Sequence, residues 1–357
     1  MGIRLLIVDD STTALLLLSR VLGSDSEIEI VGTASSGEEG VQKALRLKPD
    51  VITMDIFMSG MDGYEATRQI MRDCPTPIVV VSGGVASPEL MIAFKSIQAG
   101  ALDMVQKPDM TSWDFDASCR RLITVVKLMS EVRVVRRRRV VDETISSSPR
   151  SPAYPSSLPK PAFVPKLIAI VSSTGGPAAL NQIFKTLPAD FSVPIVVIQH
   201  ISAGFTQGLI HWLQTESRLR LQIATHGERL AAGRIYFSAE GRHLEVSSLN
   251  RLLYTDDPPV HFVRPAATVL FNSVARNTAD STIGVMLTGM GEDGAAALKT
   301  MRDRGSINIV QDEATSVVFG MPGAAVKAGA ADYVLPVELI GAKLQEMARA
   351  NVGLTVQ

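Results

Sequence analysis

Four short apolar runs in the first third of this chain each stop at a polar group, and that pattern leaves few folds open. Ile3 to Val8 runs into Asp9-Asp10, Val51 to Met54 into Asp55, Ile78 to Val81 into Ser82, and Ala101 to Val105 into Lys107-Pro108. Short, mainly apolar, partly β-branched runs are the mark of strands buried on both faces, as in a parallel sheet. In open α/β sheets the carboxyl ends of such strands line one crevice. Carboxylates gathered there repel one another and favour a hard, oxygen-seeking cation such as Mg²⁺. With that cation in place, one carboxylate can accept a phosphoryl group while a lysine and a hydroxyl hold its oxygens. Unrelated surface acids would account for any one of these positions, but not for all four together.

These residues, with Met61-Asp62-Gly63 after the acceptor strand, resemble the receiver domain of response regulators over about the first 125 residues. The resemblance implies a flavodoxin-like, five-stranded parallel sheet and an aspartyl-phosphate on Asp55, received from a chemotaxis-type histidine kinase. It implies Mg²⁺ on Asp10, Asp55 and the backbone carbonyl of Phe57, with Asp9 in support. Ser82 would move toward the phosphoryl group and Lys107 would pair with it. Two positions depart from the usual pattern. Ser59 stands where a proline commonly follows the methionine, and Met104 stands where many receivers carry an aromatic switch residue.

At 357 residues the chain exceeds one ordinary domain. A hydrophobic content of 46% with 20% charged residues fits packed globular domains rather than disorder. The formal net charge of −1 supplies no global attraction to nucleic acid or anionic lipid. Two cysteines, Cys74 and Cys119, fit a reducing compartment better than a disulfide scaffold. A strand within three residues of the start leaves no room for a signal peptide, and no apolar stretch approaches the ~20 residues that span a bilayer. The chain reads as a cytoplasmic monomer without membrane insertion or nucleic-acid binding.

The pattern divides into a receiver over 1–125, a helix extension and linker over 126–165, and a second α/β domain over 166–350. The last receiver helix is expected from near Asp116 through Leu128-Met129 and on through Val132 to Val135 into Arg136 to Arg139. Those four arginines could contact nucleic acid or an acidic partner. A solvated basic helix end, favoured by the helix dipole, is the simpler reading. From Ser146 to Pro165 serine and proline dominate, as in a linker. From Lys166 the βα alternation resumes, with strands expected at Leu167 to Val171, Val193 to Ile198, Arg234 to Phe237, Ile283 to Leu287 and Ile307 to Val310.

In this half a serine, a histidine and an aspartate each fall at a strand's carboxyl end. Ser172-Ser173-Thr174-Gly175-Gly176-Pro177 follows the first strand, His200 ends the second, and Asp293 lies in Thr288 to Ala295. A serine hydroxyl needs an imidazole to take its proton and a carboxylate to hold that imidazole. On its own the serine loop is as compatible with helix capping or phosphate binding. The chain order Ser, His, Asp and the absence of Gly-x-Ser-x-Gly disfavour an α/β-hydrolase.

Ser173-Thr174-Gly175-Gly176, Gln199-His200, Gly204-Phe205-Thr206, Gly241-Arg242-His243-Leu244, Arg264-Pro265, Thr288 to Gly291, Asp293-Gly294-Ala295, Gln311 to Ala314 and Val318 to Pro322 resemble the chemoreceptor protein-glutamate methylesterase (CheB) family, in order, from about Lys166 to Leu339. The resemblance implies a doubly wound, mainly parallel α/β domain that needs no cofactor for hydrolysis. It implies Ser173 as nucleophile, His200 as general base and acid, and Asp293 as orienting carboxylate. The backbone N–H of Met290 would serve the oxyanion, and Thr174 would line the site. The substrates implied are methylated glutamates, and glutamines, of methyl-accepting chemoreceptors, with phosphorylation of the receiver as the activating event. Val171-Ser172 replaces the usual Gly-Ala, and Ser172 brings a rival hydroxyl. Val263 stands where His is common and Thr268 where Asp is common, changes expected at the substrate rim or interdomain contact. His211 is expected on a helix packing face, His226 in a loop, His243 lining the cleft and His261 in a proline-flanked connection, none of them at metal-site spacing. Arg264 could bind a substrate carboxylate or pair structurally. A non-enzymatic regulator with a dormant triad, or an enzyme in another chemosensory circuit, are the rival functions.

Overall fold

The computed structural model describes residues 2–83, 87–112, 115–132, 134, 163–261 and 263–349, with residues 87–92 described by backbone alone. In the first domain, strands β1 (Ile3–Val8), β2 (Ile28–Ala34), β3 (Val51–Met54), β4 (Ile78–Ser82) and β5 (Asp103–Gln106) form one sheet in the order β2-β1-β3-β4-β5. Every pairing is parallel, which is the flavodoxin-like order expected. Five helices connect and flank the strands: α1 (Thr12–Leu22), α2 (Gly37–Leu47), α3 (Gly63–Asp73), α4 (Ser87–Ala99) and α5 (Phe115–Ser130).

Local chemistry sets the helix starts. The hydroxyl of Ser36 accepts from Glu39 N–H, while Glu39 accepts from Ser35 N–H, a reciprocal cap at the start of α2. Asp62 caps α3 by accepting from Glu65 N–H at 2.8 Å. Gly63 has no alternative there, since a Cβ would lie 1.9 Å from the carbonyl oxygen of Asp55. The glycine of Met61-Asp62-Gly63 therefore lets α3 begin directly against the acceptor strand.

Helix α5 ends at Ser130, short of the extension expected through Val135. Glu131 and Val132 close it with i→i−3 bonds to Leu128 and Met129, the tightened last turn that often ends a helix. Arg136 to Arg139 and nearly all of the Ser/Pro-rich segment lie outside the described residues.

The second domain carries a seven-stranded parallel sheet. Its strands are β6 (Leu167–Ser172), β7 (Ile195–Gln199), β8 (Arg220–Ile223), β9 (Arg234–Phe237), β12 (Thr282–Met286), β13 (Ile307–Gln311) and β14 (Tyr333–Leu335), in the order β14-β13-β12-β6-β7-β9-β8. A hairpin of β10 (His243–Val246) and β11 (Leu252–Thr255) stands beside it. The helices are α6 (Gly176–Phe184), α7 (Thr206–Glu216), α8 (Ala267–Asn277), α9 (Ala295–Asp303), α10 (Met321–Lys327) and α11 (Val337–Arg349). Strands β6, β7 and β12 are wholly buried, so they read as uninterrupted apolar runs. The chain order leaves β6 and β12 side by side in the middle of the sheet, which brings loops from distant sequence to one rim.

The domains share an apolar seam. Phe94 of α4 stacks on Trp212 of α7 with ring centroids 5.6 Å apart and planes 14° apart. A continuous buried cluster runs from Met54 and Ile97 in the first domain to Leu180 and Leu209 in the second. On the other face, Val317 and Val318 pack against the cluster built around α5.

Candidate active site and phosphoacceptor pocket

The strand ends of the first domain bring Asp9, Asp10, Asp55, Ser82 and Lys107 together. One oxygen from each of Asp9, Asp10 and Asp55 lies within 4.8 Å of the others. Lys107 Nζ sits 2.7 Å from Asp9 Oδ2 and 3.1 Å from Asp55 Oδ2. The one ammonium is thus shared between two carboxylates. Burial pushes the Asp55 carboxyl up to about 6, with Lys107 opposing and the Asp9 charge adding to the rise. Ser82 Oγ is buried with no partner, and no described residue donates to the Phe57 carbonyl. Unfilled oxygens around an anion that resists ionisation fit a hard divalent cation and a phosphoryl group. Asp10, which is exposed, accepts from Ser59 N–H at 3.2 Å, a bond that a proline there could not donate.

In the second domain Ser173, His200 and Asp293 meet on the rim formed by β6, β7 and the loop after β12. Ser173 sits on the turn between β6 and α6, its N–H donating to Thr288 carbonyl at 3.0 Å. The turn is too tight for side chains. A Cβ at Gly176 would lie 2.1 Å from Gln199 Oε1, and one at Gly289 would lie 2.7 Å from Ser173 Cβ. The rival serine is disposed of by its partners: Ser172 is fully buried and its hydroxyl donates to Gln199 Oε1 at 2.6 Å. The amide of Gln199 in turn donates to the carbonyls of Ser173 and His200 at 2.8 and 2.9 Å. Gln199 thus ties the serine turn to the histidine, a role that its place in the Gln199-His200 pair did not disclose.

His200 Nε2 lies 3.2 Å from Asp293 Oδ2. That is ion-pair distance, but the ring N–H is not aligned on the oxygen and Nε2 has no hydrogen-bond partner. The pair is an electrostatic contact of the loose kind seen before substrate binds. With Nε2 toward the carboxylate, Nδ1 is the nitrogen left for the serine. No hydrogen bond joins Ser173 Oγ to His200 among the described residues. Burial alone would push the Asp293 carboxyl up, yet the His200 ring and the Thr268 hydroxyl more than offset it and hold it below the usual carboxylate range. Asp293 accepts from Ala267 N–H at 2.6 Å, Thr268 N–H at 3.0 Å and Thr268 Oγ1 at 2.6 Å. Thr268 therefore touches the aspartate itself, which corrects its expected place on the substrate rim or interdomain contact.

The turn after β12 is pinned at Thr288 and Gly289. Thr288 Oγ1 donates to the Thr174 carbonyl and accepts from Val318 N–H, and Gly289 N–H donates to the Val318 carbonyl. Met290 N–H then has no acceptor among the described residues, as an oxyanion donor requires. Thr174 is buried beside it. A cleft of about 890 Å³ opens here, with Ser173, Thr174, His200, Met290 and Asp293 on one wall and Arg120, Arg121, Thr124 and Val125 of α5 on the other. The receiver thus stands over the serine rim.

Of the other histidines, His226 lies in a loop and His261 in the proline-flanked connection as expected, while His211 and His243 part from expectation. His211 is exposed while its neighbour Trp212 is buried. His243 is buried, bonded to the Pro258 carbonyl and to Ala266 N–H, and it is His261 that lines the cleft. Arg264 turns onto the carbonyls of Asp256 and Asp257.

Two family descriptions match the chain: "Response regulator receiver domain" over residues 5–112 and "CheB methylesterase" over residues 168–344. A "protein-glutamate methylesterase/protein-glutamine glutaminase 1" of Syntrophus aciditrophicus is 43% identical over 97% of this chain and 98% of its own length. A "protein-glutamate methylesterase/protein-glutamine glutaminase 4" of Myxococcus xanthus is 41% identical over 99% of each chain. The crystal structure of the Thermotoga maritima CheB methylesterase catalytic domain is similar over 52% of this chain and 100% of its own, with 37% identity and a TM-score of 0.50. Likeness that extends from the phosphoacceptor pocket through the serine rim, at about two residues in five, leaves one conclusion: the chain belongs to the CheB methylesterase family.

Proposed function

We propose that this protein is a phosphorylation-activated protein-glutamate methylesterase and protein-glutamine glutaminase, acting on chemoreceptors in the adaptation limb of a chemosensory pathway. The observation that carries the reading is the convergence of Ser173, His200 and Asp293 on one strand-end rim beneath α5. Ser173 Oγ attacks the γ-ester carbonyl carbon as His200 Nδ1 takes its proton. The tetrahedral oxyanion is met by the Met290 N–H, with Thr174 lining the site. Collapse breaks the C–O bond to the methoxy group, which leaves as methanol with the proton from His200. Water then attacks the acyl-enzyme, His200 takes its proton and returns it to Ser173, and a receptor glutamate is released. A glutamine side chain follows the same course with ammonia leaving. Asp293 holds the ring and offsets its transient positive charge. None of these steps calls on a cofactor.

Activation starts at Asp55, which receives a phosphoryl group from a histidine kinase. Asp9, Asp10, Asp55 and the Phe57 carbonyl are the groups that would hold Mg²⁺, which supplies charge neutralisation for the transfer. Lys107 and Ser82 then hold the phosphoryl oxygens. Because α5 forms one wall of the serine cleft, the docked receiver limits entry of a receptor helix, and phosphorylation releases it. The receiver over 1–125, the connection over 126–165 and the hydrolase over 166–350 act as one regulated monomer. No helix among the described residues is long and apolar enough to cross a membrane.

Methanol release from methylated receptor by Ser173→Ala and Ser172→Ala tests the assignment. Ser173→Ala should lose about 10⁴- to 10⁶-fold in kcat, and Ser172→Ala should keep most of its activity. The reverse pattern would move the nucleophile one residue earlier.

A further inference from the structure

We propose that Thr268 is a positioning residue of the hydrolase, its hydroxyl fixing the Asp293 carboxylate so that Oδ2 faces His200. The inference rests on the reading that Asp293 orients His200. Helix α8 begins at Ala267, and its N-cap, Ala266, has no side chain to cap it. The free N–H groups of the first turn are satisfied from elsewhere: Ala266 donates to His243 Nδ1, Ala267 to Asp293 Oδ2 and Thr268 to Asp293 Oδ1. Asp293 is thus an N-cap supplied from a distant loop, in the field of a helix N-terminus that favours its anion.

Two backbone donors hold the carboxylate, one on each oxygen. The hydroxyl of Thr268 adds a third donor and sets it on Oδ1. It accepts from Gly294 N–H at 2.9 Å, so its own hydrogen is directed to Asp293 Oδ1 at 2.6 Å. One oxygen therefore bridges the side chain of Asp293 to the backbone of the next residue and closes a small ring. Oδ1 then has two donors on it, and Oδ2 is the oxygen left to meet Nε2 at 3.2 Å. Gly294 permits this approach, at φ +84° with a Cβ position only 2.8 Å from Ala267 Cβ. A carboxylate in place of Thr268 would set like charges in contact and require a shared proton. A hydroxyl donates at any pH.

The experiment measures kcat, KM and the pH–rate profile on methylated receptor for native protein, Thr268→Val, Thr268→Ser and Asp293→Asn, each full-length and activated with acetyl phosphate and Mg²⁺. Thr268→Val should lower kcat by about 10- to 100-fold, the scale of a hydrogen bond to a charged group, with KM unchanged. Its acid limb should move to higher pH, because the limb reports protonation of the base His200, and a carboxylate that has lost a donor holds the protonated ring more strongly. Thr268→Ser should stay within about threefold of native. Native kcat and acid limb in Thr268→Val, a loss confined to KM, or equal losses in the Val and Ser variants would each overturn the proposal. Asp293→Asn separates the two levels: inactive Asp293→Asn with native Thr268→Val removes only the role of Thr268, whereas active Asp293→Asn removes the orienting role of Asp293 and this inference with it. Should Thr268→Val fold poorly, the acid limb of Thr268→Ala on the soluble fraction gives the same decision.

Discussion

Asp55 and Asp293 are both buried aspartates at the carboxyl ends of parallel strands, yet their surroundings push them in opposite directions. Asp55 is raised to about 6 by burial, and around it one lysine serves two carboxylates and Ser82 Oγ has no hydrogen-bond partner. Asp293 is held below the ordinary range, with His200 and Thr268 offsetting a comparable burial and three donors on its oxygens. The first site is built around an anion that is costly until something binds or bonds to it. The second is built around an anion that must stay. A strand-end carboxylate is therefore read by whether its donors offset its burial: for Asp55 the Ile56 N–H and a shared Lys107 do not, which suits covalent and ionic change, and for Asp293 they do, which suits a fixed counter-charge.

The same substitution at both positions breaks or sharpens this contrast, and catalysis gives the largest effect. Asp293→Asn should lower kcat by about 10³- to 10⁴-fold, since the ring loses its counter-charge and its preferred tautomer. Asp55→Asn should retain the basal rate and lose only its stimulation by acetyl phosphate with Mg²⁺. Stimulation of Asp55→Asn equal to native would remove Asp55 as acceptor.

Stability should move with opposite signs. A raised carboxyl pKa means that the Asp55 contribution is fully present below the unfolded value near 4 and lost as pH rises through about 6. Without divalent cation at pH 7, Asp55→Asn should therefore stabilise the protein, by at most about 3 kcal/mol from a two-unit shift. Mg²⁺ should narrow the difference. Asp293 has a lowered pKa, so its contribution is present above the unfolded value and lost as pH falls through the folded one. Asp293→Asn should destabilise by about 1–3 kcal/mol at pH 7, with the gap closing in acid. Denaturant titrations at about pH 7 and 4.5 check the first sign, and extending them to about pH 3 checks the second.

The seam between the domains gives the next effect. Phe94 and Trp212 stack at 5.6 Å, and such pairs contribute about 0.5–1.5 kcal/mol beyond their buried area. Phe94→Ala should loosen docking and raise unphosphorylated activity by about two- to tenfold, leaving the phosphorylated rate near native. An unchanged basal rate would mean that the seam does not hold the receiver over the cleft.

Much of this was legible in the residues because buried parallel strands announce themselves. β1, β3, β4, β6 and β12 are mainly apolar runs, and the polar residues at or beyond their ends carry the chemistry. The edge strands β8 and β14 and the β10–β11 hairpin have short, partly exposed sequences, so no run marked them. The end of α5 at Ser130 was hidden because Val132 to Arg139 continues a helix-compatible composition, and only the i→i−3 closure stops it. His243 and Thr268 were misplaced for a different reason. Both act at the start of α8, His243 on the N–H of Ala266, 23 residues away in sequence, and Thr268 on Asp293 and Gly294, 25 and 26 residues away. Contacts of that range carry no periodic signal.

The smallest expected effect separates the two aspartate sites most finely. Ser59 N–H donates to Asp10 Oδ2 at 3.2 Å, much as Thr268 N–H donates to Asp293. The environments differ: Asp10 is exposed, and water can replace any donor that is lost there. Ser59→Pro removes the N–H, and Ser59→Ala keeps it as the control. If the receiver pocket is meant to stay open, the bond from Ser59 competes with a cation for the Asp10 oxygen instead of locking it. Ser59→Pro should then leave the maximal extent of phosphorylation unchanged and lower the Mg²⁺ concentration for half-maximal phosphorylation by no more than about fivefold, equivalent to about 1 kcal/mol. Ser59→Ala should match native. A tenfold or greater loss in Ser59→Pro alone would mean that Asp10 needs a fixed donor as Asp293 does, and the distinction between carboxylates left free to change partners and one held in place would no longer divide these two sites.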